Sequence, residues 1–154
     1  MKVLAINGSS RKNGNTSTIL NIVLEEINKQ GIETELLEIG NQIICPCRGC
    51  FACNMKALLE RAGVVVASNP GLLKHKVDAA VSAVRRGGGM TTVDTMNHFF
   101  LNKEIFVVGS IYWNMVCGKD IGDVLNDIEG VNNMKNLGEN MAWLLKIISQ
   151  KKQS

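Results

Sequence analysis

No run of apolar residues in this 154-residue chain approaches the roughly 18 that a membrane-spanning helix needs. Nor is positive charge concentrated anywhere: 17 Lys and Arg oppose 14 Asp and Glu, a formal net charge of +3, and the basic residues are scattered. Nucleic acid is therefore not expected as a partner, because its usual footprint is a basic face. The first apolar stretch, residues 3–6, is shorter than the about 7–15 residues of a secretory signal. Internal repeats, low-complexity segments and linkers are absent. Together these absences predict a soluble, cytoplasmic protein without a membrane partner, folded as a single domain over residues 1–154.

Cysteine is sparse along most of the chain, yet four of the five fall in one nine-residue run, CPCRGCFAC, at residues 45–53. In a reducing compartment such a cluster points to metal or redox chemistry more than to structural disulfides. Pro46 and Gly49 keep this stretch out of a helix, so its backbone can wrap around a soft metal centre. Zinc, a redox disulfide or an incomplete site are the rival readings of the same spacing.

Elsewhere the apolar pattern alternates between strand and helix. Residues 3–6 form a short apolar run stopped by Asn7-Gly8, which fits a buried parallel strand. Ile19, Leu20, Val23, Leu24 and Ile27 then fall on one helical stripe that begins near Thr16 and stops at Gly31. Residues 34–39 read as a second strand, completing a βαβ unit. Further strands are expected at 77–84 and 104–110, a helix at 91–101, and a long C-terminal helix carrying Val131, Met134, Leu137, Met141, Leu144, Leu145 and Ile148. This order predicts an α/β fold with a mostly parallel sheet. The stretch GVVVAS, residues 63–68, has strand-forming valines. Only residues 69–76 separate it from the next strand, whereas a parallel crossover needs at least about 10–12 residues. A loop, an edge piece or a helix end all fit it.

The loop NGSSRKNGNTS, residues 7–17, joins the first strand to a helix N-terminus. Free N–H groups and a positive dipole end make that junction suited to an anion such as phosphate. Ser9, Ser10, Thr16 and Ser17 offer hydroxyls, Asn15 an amide and Arg11 a permanent cation. It matches neither the Walker A pattern nor the GxGxxG fingerprint, and a plain polar loop with a helix cap is the bland alternative. Its place at the carboxyl end of a strand favours the ligand reading.

At this point MKVLAINGSSRKNGNTSTIL, CRGCFAC, RRGGG, NHFFLNKEIFVVGSIYWN and NLGENMAWLLK together resemble the iron–sulfur flavoproteins of the NADPH-dependent FMN reductase superfamily. The resemblance implies a flavodoxin-like, doubly wound parallel sheet in three layers, α/β/α. It implies FMN with its phosphate on Ser9, Arg11, Asn15 and Thr16, and Ser10 and Ser17 join them as candidates. It places the second loop, with Arg86, Gly87 and Gly88, near the isoalloxazine ring. Cys47, Cys50 and Cys53 match the family's ligands for a 4Fe–4S cluster, with Cys45 available as the fourth. The implied role is electron transfer between cluster and FMN, with NAD(P)H as a donor, and with a redox protein such as a ferredoxin or a small-molecule acceptor as partner. Homodimers or homotetramers are expected by the same resemblance.

Two departures stand out. The family has a fourth cysteine soon after the third, and here none follows until Cys117. The family also continues into an acidic turn, a helix, a central strand and a Ser-Pro-x-Tyr loop, whereas this sequence passes directly to MKALLERAG, which reads as the helix that follows that loop. An omitted segment of a longer chain, a true deletion, or a compressed replacement with residues 64–68 as the central strand would each explain this. The crossover length counts against the replacement, and the unpaired strand edges left by a deletion count against the second.

Other residues take the bland reading. His98, Tyr112 and Trp113 read as packing or interface residues, the seven methionines as core filler and Cys117 as a lone thiol. No side chain is nominated as a general acid. Three functions follow: a flavoprotein oxidoreductase and electron carrier, an NAD(P)H-dependent FMN or quinone reductase without a cluster, and a cofactor-free thiol, metal-binding or interaction module.

Overall fold

The computed structural model describes residues 1–40 and 54–151. Strand β1 (Lys2–Asn7) leads through helix α1 (Asn15–Lys29) to strand β2 (Glu33–Glu38). The two strands pair in parallel with Lys2 opposite Glu33 and Asn7 opposite Glu38. Gly31 ends the crossover at φ 79°, a left-handed turn that glycine adopts without a Cβ penalty.

Helix α2 (Asn54–Ala67) comes next, then strands β3 (Val77–Asp78) and β4 (Ser82–Val84), and helix α3 (Gly89–Asn102). Strands β5 (Phe106–Val107) and β6 (Met115–Cys117), a 3-10 turn at Asp123–Asn126 and helix α4 (Ile128–Lys151) complete the chain. The expected strand at 77–84 is thus interrupted. Its first part pairs in parallel with β5 and its second with β6. Among the described residues, β1 has only β2 as a neighbour, so the sheet consists of parallel pairs that do not join across the middle.

Residues 63–67 of the valine-rich stretch are the end of α2, not a strand, which removes the compressed-replacement reading. Valine is a weak helix former because its branched Cβ crowds the preceding turn. The end is held nonetheless: Ser68 Oγ donates to the Val64 carbonyl at 3.2 Å and Asn69 Nδ2 to the Val65 carbonyl at 2.8 Å. Pro70 then prevents continuation.

Two cores lie on opposite faces. In one, Ile19, Val23 and Ile27 of α1 meet Met134, Leu137 and Met141 of α4. The helices approach closely at Gly138, where a Cβ would stand 2.7 Å from the Val23 carbonyl oxygen. In the other, Ala80, Val93, Phe100 and Ile105 are buried, with Leu59, Met96 and Phe99 packed against them. Among the described residues no helix is long and apolar enough to cross a membrane.

Candidate functional site

The loop after β1 is built by a short polar network beneath it. Asn7, fully buried, donates from Nδ2 to the Glu38 carboxylate at 2.9 Å and accepts the Ser9 N–H on Oδ1 at 3.0 Å. Ser17 Oγ donates to the same carboxylate at 3.0 Å. Glu38 therefore ties the end of β1 to the start of α1, and Ser17 acts from behind the loop. Asn15 likewise spans two loops: its Nδ2 donates to the Asp120 carbonyl at 2.9 Å and its Oδ1 accepts the Gly122 N–H at 2.8 Å.

What remains open is the helix end itself. Helix α1 starts after Gly14 with no side-chain cap and no acidic residue in its first turn. A side chain at Gly14 would press on Arg11, whose Cβ and carbonyl oxygen lie 3.0 and 3.1 Å from a Cβ there. The loop therefore folds tightly over its own backbone, and its first-turn N–H groups stay available to an anion.

A second helix end faces the same space. Helix α3 follows Gly88, held at φ 87°, and it too lacks a side-chain cap and an acidic first turn. Gly89 packs against β4 and β6; a Cβ there would lie 2.7 Å from Val84 Cγ1 and 2.9 Å from Met115 Sδ. A cavity of about 1140 Å³ opens between the loops, with Gly8, Ser9, Ser10 and Thr16 on one side and Arg85, Gly87 and Gly88 on the other. Of the sequence-nominated residues, Ser9, Ser10, Thr16, Gly87 and Gly88 line this cavity. Arg11 and Arg86 are exposed beside it, and Asn15 and Ser17 brace the loop from behind.

Residues that sequence reasoning passed over also shape the site. Asp78 lines the cavity deeper in; burial pushes its carboxyl up to about 6, although the hydrogen bond from the Ala79 N–H pulls the other way. A carboxylate inside the apolar run VDAAVSAV was the visible signal for it. Two contacts anchor the first loop from outside. Gly40 packs so closely that a Cβ on it would fall 1.6 Å from the Ser9 carbonyl oxygen, and a Cβ on Gly8 would lie 3.1 Å from Met55 Cβ.

Cys45, Cys47, Cys50 and Cys53, the proposed cluster ligands, lie outside the described residues. Among the described residues no group of three or more His, Cys, Asp or Glu could hold a metal ion. Cys117 is an exposed free thiol.

The loop 109–114 is pinned to α4. Ser110 Oγ donates to the Asn133 carbonyl, the Asn133 side chain bonds the backbone of Tyr112 and Trp113, and Asn140 Nδ2 reaches the Gly109 carbonyl at 3.0 Å. Tyr112 and Trp113 consequently stand out half-exposed, their ring centroids 4.9 Å apart.

Comparison with known proteins agrees with this architecture. The sequence profile of the family described as NADPH-dependent FMN reductase matches residues 1–54. Among solved structures, the Trp repressor binding protein of Bacillus subtilis superposes with a TM-score of 0.59, covering 88% of this chain and 96% of that one at 15% identity. A flavodoxin from Streptococcus pneumoniae TIGR4 does so at 0.57, covering 92% and 96% at 13% identity. These two likenesses establish a flavodoxin-like α/β fold. An iron–sulfur flavoprotein of Methanosarcina thermophila is 27% identical over 160 aligned positions, 74% of this chain and 83% of that protein. One from Methanocaldococcus jannaschii is 30% identical over 193 aligned positions, which take in 97% of this chain and 100% of that protein. With that match over nearly the whole of both sequences, this chain belongs to the iron–sulfur flavoprotein family.

Proposed function

We propose that the chain binds FMN where the two uncapped helix ends meet, and that it passes electrons between this flavin and an iron–sulfur cluster carried on residues 45–53. It is a flavin-dependent oxidoreductase. The observation that carries the reading is the pair of loops on one cavity, each opening a helix N-terminus that no side chain of its own satisfies. That donor set fits a phosphorylated, planar ligand.

Ser9, Ser10 and Thr16 would hold the phosphate with their hydroxyls and backbone N–H groups, and Arg11 would add a cation at the rim. Asn15 fixes the loop by its bonds to the 120–122 segment, and Ser17 and Asn7 fix it through Glu38. Gly87 and Gly88 leave their part of the second loop without side chains, so a flat ring could approach the backbone there; Arg86 stands beside them. When bound, FMN supplies both one- and two-electron chemistry, and the protein's part is to bind, orient and tune it. Cys45, Cys47, Cys50 and Cys53 are the proposed cluster ligands; NAD(P)H, a ferredoxin-like protein or a small-molecule acceptor are the proposed exchange partners. The exposed Tyr112 and Trp113 support a homo-oligomer in which a second copy covers them.

FMN titration followed by quenching of flavin fluorescence tests the core of this reading. Saturable binding of one flavin per chain is expected. The Ser10→Ala, Thr16→Val double variant should bind at least about tenfold more weakly, as loss of charge-assisted hydrogen bonds at a phosphate implies. Absence of saturable binding by the wild-type chain refutes the proposal. The match of residues 1–54 to the NADPH-dependent FMN reductase family supports a second reading, an FMN reductase without a cluster. Iron and acid-labile sulfide co-purifying with flavin exclude that second reading; flavin without either establishes it.

A further inference from the structure

The cavity at the flavin loops does not stop there. It continues as a slot between β1 and the β3–β4 segment, and among the described residues both walls of that slot are strand edges without a partner. The Ile39 N–H donates to the Asn7 carbonyl, which fixes the parity of the β1–β2 ladder. In a parallel ladder alternate residues address the neighbour, so Val3, Ala5 and Asn7 face β2, and the backbone groups of Leu4 and Ile6 point into the slot.

The opposite wall follows the same logic. Val108 N–H donates to the Asp78 carbonyl, Ser82 N–H to the Asn114 carbonyl and Gly118 N–H to the Val84 carbonyl. The even-numbered residues therefore face β5 and β6, and Ala79, Val81 and Ala83 present their N–H and C=O groups to the slot. Among the described residues the Asp78 carboxylate meets the Ala79 N–H at 2.8 Å, and no other hydrogen bond reaches these inward groups. The loops following both walls line the same end of the cavity, so the walls run in the same direction.

Apart from Asp78, Lys76 and Ser82, the side chains along the slot are apolar on both faces: Val23 and Leu137 on one, Leu59, Met96 and Phe99 on the other. Successive side chains of a strand lying there would enter opposite cores, so each would have to be apolar. A small apolar ligand would fill the volume and strand the backbone groups; only another backbone satisfies both.

We propose that the slot binds one extended peptide strand from a separate polypeptide, uncharged and apolar at every position, running parallel to β1 and joining the half-sheets into one. It would be about six to eight residues long, the span of the walls at ~3.3 Å per residue. A separate polypeptide is favoured over a second copy by two observations. The chain's own β-branched run, Val64, Val65 and Val66, is committed to α2. And the alignment with the M. jannaschii relative has 193 positions against the 154 residues of this chain, so at least 39 positions have no counterpart here.

The test uses the full chain, isotopically labelled, and a synthetic peptide of six alternating valines and isoleucines with a lysine at each end. Saturable binding of one peptide per chain is expected, with amide exchange at Leu4, Ile6, Val81 and Ala83 slowed by about tenfold or more. The same peptide N-methylated at alternate residues should bind far more weakly. Equal binding of both peptides, or binding without protection of those amides, overturns the proposal in favour of a simple apolar cavity. Protection present without peptide and lost on dilution overturns it in favour of a second copy. The measurement needs no flavin, so its outcome is independent of the proposed activity.

Discussion

Asp78 shows how a single residue records its surroundings. Its carboxyl is held at about 6, above the ordinary 3.8, because charging it means charging the cavity wall. An acid whose pKa is raised in the folded state binds its proton more tightly there than when unfolded. Folding therefore carries no penalty below pH ~4, loses stability as pH rises from ~4 to ~6, and bears the full loss above that. Asp78→Asn should stabilise the protein at pH 7.5 by up to about 3 kcal/mol, with the gain gone near pH 4. Urea unfolding at those two pH values measures it; an equal gain at both would show that ionisation is not the cause. Gly89 gives the converse case of a side chain that cannot be added. Gly89→Ala would press a methyl group onto Val84 and Met115, and a melting curve should register a loss of about 1–3 kcal/mol. The loop's polar residues were readable in the sequence as donors, but not their division of labour. Asn15 and Ser17 are spent on Asp120, Gly122 and Glu38, partners distant or unremarkable in sequence, and residue type alone does not reveal such pairings.

Among the elements, the long periodic ones were the most legible. The helical stripes of α1 and α4 and the first two strands follow from apolar spacing, with boundaries off by a residue or a few. The body of helix α2 was legible in MKALLERAG, but its end was not, because the last turn consists of valines whose intrinsic preference is for strands; side-chain bonds from Ser68 and Asn69 override it. The crossover argument nevertheless excluded the strand that preference suggested. Val64 and Val65 are 70% and 56% exposed, so little packing rewards them. Replacing each with Ala should raise α2 stability by about 0.5 kcal/mol, visible as a higher melting temperature. No gain would mean that these side chains are covered in solution. The strand at 77–84 was foreseen as one piece. Its break comes from the partner side, where loop 109–114 bulges out between β5 and β6 under the pull of Asn133 and Asn140.

At the scale of the molecule, the α1–α4 core is the continuous one. Leu137 is fully enclosed there, and Leu137→Ala should cost about 2–5 kcal/mol by denaturant titration. Both cores border the slot, and the second, with fewer buried residues, has less to lean on. That asymmetry was partly legible: the family pattern predicted a missing central strand, while two facing open edges and their parity could come only from the paired backbones. The α/β plan was readable because βαβ alternation survives the gap, and its flavodoxin-like form was readable from the family resemblance.

Gly40 and Met55 stand on either side of the cysteine run, and both rest on the first loop, one against Ser9 and the other against Gly8. The two feet of residues 41–53 are thus planted side by side by the fold itself. Gathering thiols from a free chain of that length carries a closure entropy that rises with the logarithm of loop size. Here part of that cost is met when the protein folds, because both ends of the run are already fixed. Since the ground under both feet is the first loop, whatever steadies that loop also steadies the two ends from which the cysteine run is strung.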